Sequence, residues 1–323
     1  MKKILCAILA IFMMLSITTG CNDYTEKENT KKLKVVTTIF PEYDWVREIM
    51  GDNVDNAEIT MLLDNGVDLH SYQPTADDIV KISDCDLFIY VGGESDGWVE
   101  DALKNATNKN MKVINLLDVL GDNIKEEEVK EGMESEEESE GEEEPEYDEH
   151  VWLSLKNTKV LCQTIAEALE EIDAENKEIY KKNALAYEQK LSELDKEYQS
   201  TVDSSARKVL LFGDRFPFRY LVDDYGLDYY AAFVGCSAES EASFETVSFL
   251  AKKVDELKLP CVLTIEGNNH KIAKTIISNT LEKNQEILTM DSMQSTTSDD
   301  VKAGVTYLSV MKKNLDILKM ALN

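Results

Sequence analysis

Two of the three histidines in the chain lie in polar segments whose neighbours could orient an imidazole ring. His70 follows Asp68 two residues earlier, and His150 comes directly after Asp148 and Glu149. A carboxylate beside a histidine holds one ring nitrogen and leaves the other free, which is the usual arrangement around a metal-bound imidazole. A lone loop histidine is most often a surface residue, but two with such neighbours favour a site for a divalent cation.

The elements predicted around these histidines belong to an α/β fold. Short apolar β-rich runs alternate with helical stretches, which is typical of a parallel sheet covered by helices on both faces. The predicted strands are 35–39, 57–62, 87–91 and 113–116 in the first half, and 209–212, 229–234, 261–265 and 286–289 in the second. We therefore expect two lobes, each with a mainly parallel four-stranded sheet flanked by helices, joined by one long helix.

The segment between the two lobes is predicted to be helical. Residues 157–204 contain neither Pro nor Gly, and apolar side chains from Ala184 to Tyr198 recur at spacings of three and four residues. About 30 residues at about 1.5 Å each give a rod of about 45 Å, long enough to run along both lobes. The expected boundaries are an N-terminal lobe over 33–156, linking helices over 157–204 and a C-terminal lobe over 205–323.

Acidic residues dominate the charge of the chain. There are 63 Asp and Glu against 34 Lys and Arg, a net charge of −29. This excess excludes nonspecific binding to nucleic acids or to anionic lipid. Residues 121–150 contain sixteen of the acids and only two lysines. Because like charges repel, we expect a disordered acidic loop over 121–149, either a solvated insertion or a segment that concentrates cations near His150.

The N-terminal residues are typical of a targeting segment. Two lysines near the start precede an apolar run over 4–17, which predicts a secretory signal peptide over 1–20. The small residue before Cys21 resembles a bacterial lipoprotein cleavage box. We expect a lipid on Cys21, a tether over 21–32 and a location at the outer face of the bacterial plasma membrane, with the lipid as the only membrane contact. Simple secretion is the alternative.

The other cysteines of the predicted mature chain show no close pair that would indicate a disulfide or a metal motif. These cysteines are Cys85, Cys162, Cys236 and Cys261. We expect Cys85 and Cys261, which lie beside strand-like runs, to be buried thiols, and the sequence assigns no role to Cys236.

Four motifs together resemble one known family. The runs NGVDLHSYQPT, DEHVWLS, FRYLVDDYGL and LTMDS occur in this order, and the chain is similar over almost its whole mature length to the metal-binding lipoproteins of bacterial ABC importers for zinc or manganese. The resemblance implies a rigid helix between the lobes and a metal in the cleft between them. It implies His70 as the first ligand, His150 as the second and Asp291 as a further one. It also implies an ABC permease and its ATPase as partners.

One ligand position of that family is occupied here by an arginine. In zinc members a His, and in manganese members a Glu, stands five residues before the tyrosine that corresponds to Tyr220, and this position is Arg215. A guanidinium stays protonated and cannot bind a metal, so it would repel a dication or pair with a carboxylate. We expect Glu266 to replace the missing ligand, with Asp214 or water as alternatives, and His270 to face solvent.

Together these features predict a solute-binding protein rather than an enzyme. Two imidazoles with one or two carboxylates suit Zn(II), with Mn(II) or Fe(II) as alternative cargo. We expect a monomer that captures Zn(II) and delivers it to a permease, with no nucleic-acid partner. Three other interpretations are a binder of an anionic organic solute clamped by Arg215, a secreted metallohydrolase, whose usual motif is absent from the sequence, and a surface adhesin.

Overall fold

The computed structural model describes residues 32–134, 146–237, 241–267 and 269–323. The predicted signal peptide and the lipidation site Cys21 lie outside these residues, as does all but the last residue of the predicted tether. Leu33–Asn323 form one structural unit. No helix in the described part of the chain is both long enough and apolar enough to cross a membrane.

The N-terminal lobe contains a sheet of four parallel strands in the order β2-β1-β3-β4. Its strands are β1 (Leu33–Thr37), β2 (Ala57–Met61), β3 (Leu87–Tyr90) and β4 (Lys112–Asn115). Its helices are α1 (Phe40–Met50), α2 (Ala76–Asp84), α3 (Val99–Lys104) and α4 (Leu116–Leu120). Adjacent residues of the central strands, such as Phe88 and Ile89, are both buried. Burial on both faces explains why these strands are apolar throughout.

Two helices connect the lobes, α5 (Leu155–Ile172) and α6 (Lys177–Ser204). The apolar stripe predicted on the linking segment is buried on α6. On the N-terminal side, the Asn183 side chain donates a hydrogen bond to the carbonyl of Ile49 in α1 (3.0 Å). On the C-terminal side, the Tyr198 hydroxyl donates to the carbonyl of Met311 (2.6 Å). Helix α6 therefore packs against both lobes, as predicted.

The C-terminal lobe repeats the arrangement, with four parallel strands in the order β6-β5-β7-β8. Its strands are β5 (Val209–Phe216), β6 (Asp228–Val234), β7 (Cys261–Thr264) and β8 (Glu286–Thr289). Its helices are α7 (Arg219–Tyr225), α8 (Phe244–Leu257), α9 (Lys271–Asn279), α10 (Ser298–Lys302) and α11 (Tyr307–Leu322). The predicted fold class, two four-stranded α/β lobes joined by a long helix, is confirmed.

Loops from the two lobes meet at the carboxyl ends of their strands. The indole N–H of Trp152, in the loop before α5, donates to the carbonyl of Ser292, which follows β8 (2.8 Å). The backbone N–H of Tyr307 in α11 donates to the carboxylate of Asp44 in α1 (2.9 Å). Ligand sites of parallel α/β sheets lie at the carboxyl ends of the strands, so this junction is the place for a functional site.

The acidic segment is ordered wherever the structure describes it, and the expectation of disorder over 121–149 is wrong for those parts. Lys125 forms an ion pair with Asp223 (2.7 Å). The carboxylate of Glu127 accepts a hydrogen bond from the backbone N–H of Cys236 (2.9 Å). The segment is ordered because its charged groups form contacts with the C-terminal lobe. Repulsion between like charges within the segment does not prevent these contacts.

The buried face of α6 predicts a difference between two leucines of that helix. We expect Leu191→Ala to lower the free energy of unfolding by about 2–5 kcal/mol, because it removes a fully buried side chain. Leu185→Ala is the matched control, since Leu185 is 52% exposed, and we expect a change within about 0.5 kcal/mol. Urea unfolding of both variants measures the difference. Equal losses in the two variants would contradict the assignment of the buried face.

Candidate metal centre

The loop after β2 places His70 at the edge of the N-terminal lobe. Asp68 caps a short 3-10 turn over Leu69–Ser71 by accepting a hydrogen bond from the backbone N–H of His70 (3.0 Å). The ring Nδ1 of His70 lies 2.8 Å from the hydroxyl of Ser95 and 3.4 Å from the carboxylate of Glu149. With Nδ1 held in this way, Nε2 is the nitrogen left for a ligand.

His150 lies fully buried between the lobes. One carboxylate oxygen of Asp148 accepts a hydrogen bond from the backbone N–H of His150 (2.8 Å) and lies 3.1 Å from its ring Nδ1. The turn that follows, Val151–Leu153, is buried, and its tryptophan is bound to the C-terminal lobe as described above. The ring is therefore fixed in place, with its Nε2 directed toward His70.

The Nε2 atoms of the two histidines lie close together. Nε2 of His70 and Nε2 of His150 are 3.3 Å apart. Two imidazoles that bind one tetrahedral zinc ion at about 2.0–2.1 Å have their ligand nitrogens about 3.3 Å apart. The rings are thus already spaced as two ligands of a single metal ion.

Cys236 approaches the same two rings from the C-terminal lobe. The ligand atoms of His70, His150 and Cys236 all lie within 4.8 Å of one another, and the residues that the structure describes contain no other such group of three. Gly235 permits the close approach, because a Cβ atom there would lie 3.0 Å from the ring of His150. Cys236 was not predicted from the sequence as a residue of this site, since no spacing in the sequence connects it to a histidine.

The surroundings of the two imidazoles shift their pKa values in opposite directions. Burial and the adjacent charge of His150 lower the pKa of His70 to about 3. Burial also opposes the charged form of His150, but the carboxylate of Asp148 outweighs it and raises the pKa of that ring. His70 is therefore held in the neutral form, which is the form of an imidazole that binds a metal ion.

Arg215 forms an ion pair across the cleft. Its Nη2 is 2.5 Å from a carboxylate oxygen of Asp68, and its Nη1 donates to the carbonyl of Ser237 (3.3 Å). Burial tends to raise the pKa of Asp68, but the charge and hydrogen bond of Arg215 hold it below its usual range. Of the two behaviours expected for this arginine, pairing with a carboxylate is the one observed.

The two carboxylates expected as ligands accept hydrogen bonds within the loop after β8. Glu266 accepts hydrogen bonds from the backbone N–H of Ser292 (2.7 Å), from its hydroxyl (2.6 Å) and from the backbone N–H of Gln294 (3.1 Å). Asp291 accepts one from the backbone N–H of Met293 (2.8 Å). Neither carboxylate belongs to the converging group of two histidines and Cys236. Glu266 therefore shapes the loop after β8.

That loop brings Gln294 to the imidazoles. Its side-chain amide lies 3.2 Å from Nε2 of His150. With the amide nitrogen turned toward Asp68, that nitrogen donates to both carboxylate oxygens (2.9 and 3.2 Å) and the amide oxygen faces His150. The remaining candidates, Asp214 and His270, do not belong to the converging group. Asp214 accepts a hydrogen bond from the backbone N–H of Arg215 (2.9 Å). His270 is half-buried and immediately precedes α9.

Comparisons with known proteins identify the family of this chain. A family model described as ZnuA, "Zinc-uptake complex component A periplasmic", matches residues 35–321. The zinc-binding lipoprotein AdcA of Streptococcus pneumoniae is 32% identical over 328 residues, covering 99% of this chain and 61% of AdcA. The high-affinity zinc uptake system protein ZnuA of Bacillus subtilis is 30% identical over 323 residues, covering 98% of this chain and 96% of that protein.

A solved structure supports the same relationship. The Zn(II)-bound ZnuA-like domain of Streptococcus pneumoniae AdcA has a TM-score of 0.69 and 30% sequence identity, covering 90% of this chain and 99% of that domain. The chain spans about three-fifths of the length of the AdcA relatives that it matches. The family model covers most of the chain and its fold matches, so this chain belongs to the ZnuA family of zinc-uptake components.

Proposed function

We propose that this chain is the solute-binding component of a zinc ABC importer, which captures Zn(II) between its lobes and presents it to a membrane permease. The observation that carries this proposal is the pair of buried imidazoles whose Nε2 atoms lie 3.3 Å apart. His70 and His150 are the two ligands assigned by the proposal. Membership of a family of uptake components places the chain among transport proteins rather than enzymes, as the sequence predicted.

The surroundings of the imidazoles favour zinc over manganese. Imidazole nitrogen suits Zn(II), whereas Mn(II) prefers carboxylate, carbonyl and water oxygens. The carboxylates of Glu266 and Asp291 lie outside the group of side chains that converges on the two imidazoles. Zinc is also the metal in the printed names of the AdcA and ZnuA relatives. We therefore assign Zn(II) as the cargo.

Capture and location complete the proposal. The net charge of −29 attracts dications from solution and raises their rate of encounter with the cleft. A lipid on Cys21 holds the chain, as a monomer, at the outer face of the bacterial plasma membrane, where it meets a permease and its ATPase. Support for the anchor comes from the sequence around Cys21 and from the relatives named as lipoproteins.

The alternative in which Arg215 clamps an anionic organic solute is less well supported. Its guanidinium already binds Asp68 at 2.5 Å, and its side chain is only 17% exposed. An incoming carboxylate would have to displace Asp68, and this would leave a half-buried carboxylate without its cation.

Substitution of the two proposed ligands tests zinc binding. We expect His70→Ala and His150→Ala each to weaken Zn(II) affinity by at least about 100-fold, because each removes one of the preorganised nitrogens. His270→Ala is the control and should bind Zn(II) like the unchanged protein, since His270 lies outside the converging group. Competition against a zinc chelator of known affinity measures all three. Unchanged affinity in His70→Ala and His150→Ala would overturn the proposal.

Replacing Arg215 is expected to strengthen Zn(II) binding rather than weaken it. Its positive charge is one of the causes that lower the pKa of His70, so the same charge disfavours a dication at that ring. Arg215→His removes the cation and adds an imidazole, and we expect Zn(II) affinity to rise by about tenfold, or about 1.4 kcal/mol. Arg219→His is the matched control, because Arg219 pairs with Glu128 (3.5 Å), outside the converging group. Equal or weaker binding by Arg215→His would show that the guanidinium does not oppose the metal.

A further inference from the structure

Cys236 is the third side chain that converges on the two imidazoles, and we propose that its thiolate is the third protein ligand of the bound metal ion. This inference rests on the proposed zinc function and specifies the ligand set that holds the cargo. In a tetrahedral site, a sulfur at about 2.3 Å and a nitrogen at about 2.0–2.1 Å from zinc are about 3.6 Å apart. The sulfur of Cys236 lies within 4.8 Å of both ligand nitrogens. A shift of about 1 Å is enough to complete the set.

Two local features bring the thiol of Cys236 close to the rings of His70 and His150. The backbone N–H of Cys236 donates to the carboxylate of Glu127 (2.9 Å), which connects the acidic segment to the end of β6. The neighbouring Gly235 leaves the space that any side chain would take from His150. The backbone of Cys236 is thus held by Glu127, and the absence of a side chain at Gly235 leaves room for the His150 ring beside it.

The other side chains expected near the metal lie outside the converging group. Arg215, at the position where zinc relatives of this family are expected to carry a histidine, binds Asp68 instead. Glu266 and Asp291 accept hydrogen bonds from backbone N–H groups. Cys236 is therefore the remaining side chain in the converging group that can offer an anionic ligand atom.

Coordination by the thiol is a simple exchange of a proton for a metal ion. The S–H bond breaks, the proton leaves to solvent, and a sulfur lone pair forms the bond to zinc. Burial and the carboxylates of Asp148, Glu127 and Glu149 raise the pKa of this thiol, so the thiolate forms only when the metal ion replaces its proton, and the same negative charge attracts a dication. A thiolate ligand also prefers Zn(II) to Mn(II), so Cys236 would favour Zn(II) as the cargo.

Cobalt substitution tests this ligand directly. Co(II) is titrated into the purified protein, and the near-ultraviolet absorption is recorded, because a thiolate bound to Co(II) gives an intense charge-transfer band that nitrogen and oxygen ligands do not. We expect the band in the unchanged protein and its loss in Cys236→Ser, with Zn(II) affinity lowered at least about tenfold. Cys261→Ser, which alters a buried thiol of the same lobe, is the control and should keep both.

A second measurement needs no variant. Zn(II) should slow the alkylation of Cys236 by iodoacetamide, as followed by mass spectrometry of the modified peptide. Metal binding without the charge-transfer band and without this protection would overturn the thiolate ligand and leave the zinc function intact. Failure of the unchanged protein to bind either Zn(II) or Co(II) would overturn the proposed function and the ligand together.

Discussion

The contact on which the rest of the site depends is the 3.3 Å separation between Nε2 of His70 and Nε2 of His150. Two buried nitrogen acceptors at this distance are unfavourable unless a proton or a cation lies between them. Ser95 and Asp148 hold the opposite ring nitrogens, so the rings are not free to turn away. Both Nε2 atoms are thus held at the spacing that a single dication requires.

Both lobes contribute to what surrounds this pair, which suits a protein that must bind its cargo and then release it. The imidazoles belong to the N-terminal lobe and its connection to α5, whereas Cys236, Gln294 and Arg215 come from the C-terminal lobe. Arg215 and Asp68 join the lobes at the cleft, and α6 joins them along the side. A small displacement of one lobe would therefore change the ligand set without disturbing the helix that keeps the lobes together.

Features encoded by neighbouring residues were predictable from the sequence, and those made by distant ones were not. Apolar runs predicted both sheets, and adjacent carboxylates indicated His70 and His150. Gln294 reaches His150 across 144 residues, and Arg215 reaches Asp68 across 147, so tertiary packing alone decides these contacts. Glu266 and Asp291 were expected as ligands from family resemblance; both accept hydrogen bonds from backbone N–H groups and lie outside the converging group, which sequence motifs do not reveal. Their role as ligands stays a prediction that the geometry does not favour.

The most direct test of the central claim is a crystal structure of the zinc-loaded protein with anomalous diffraction recorded at the zinc absorption edge. The account predicts one strong anomalous peak, about 2.0–2.1 Å from Nε2 of both His70 and His150. A zinc peak bound by Glu266 and Asp291 without those two nitrogens would contradict it, as would the absence of any zinc peak between the lobes.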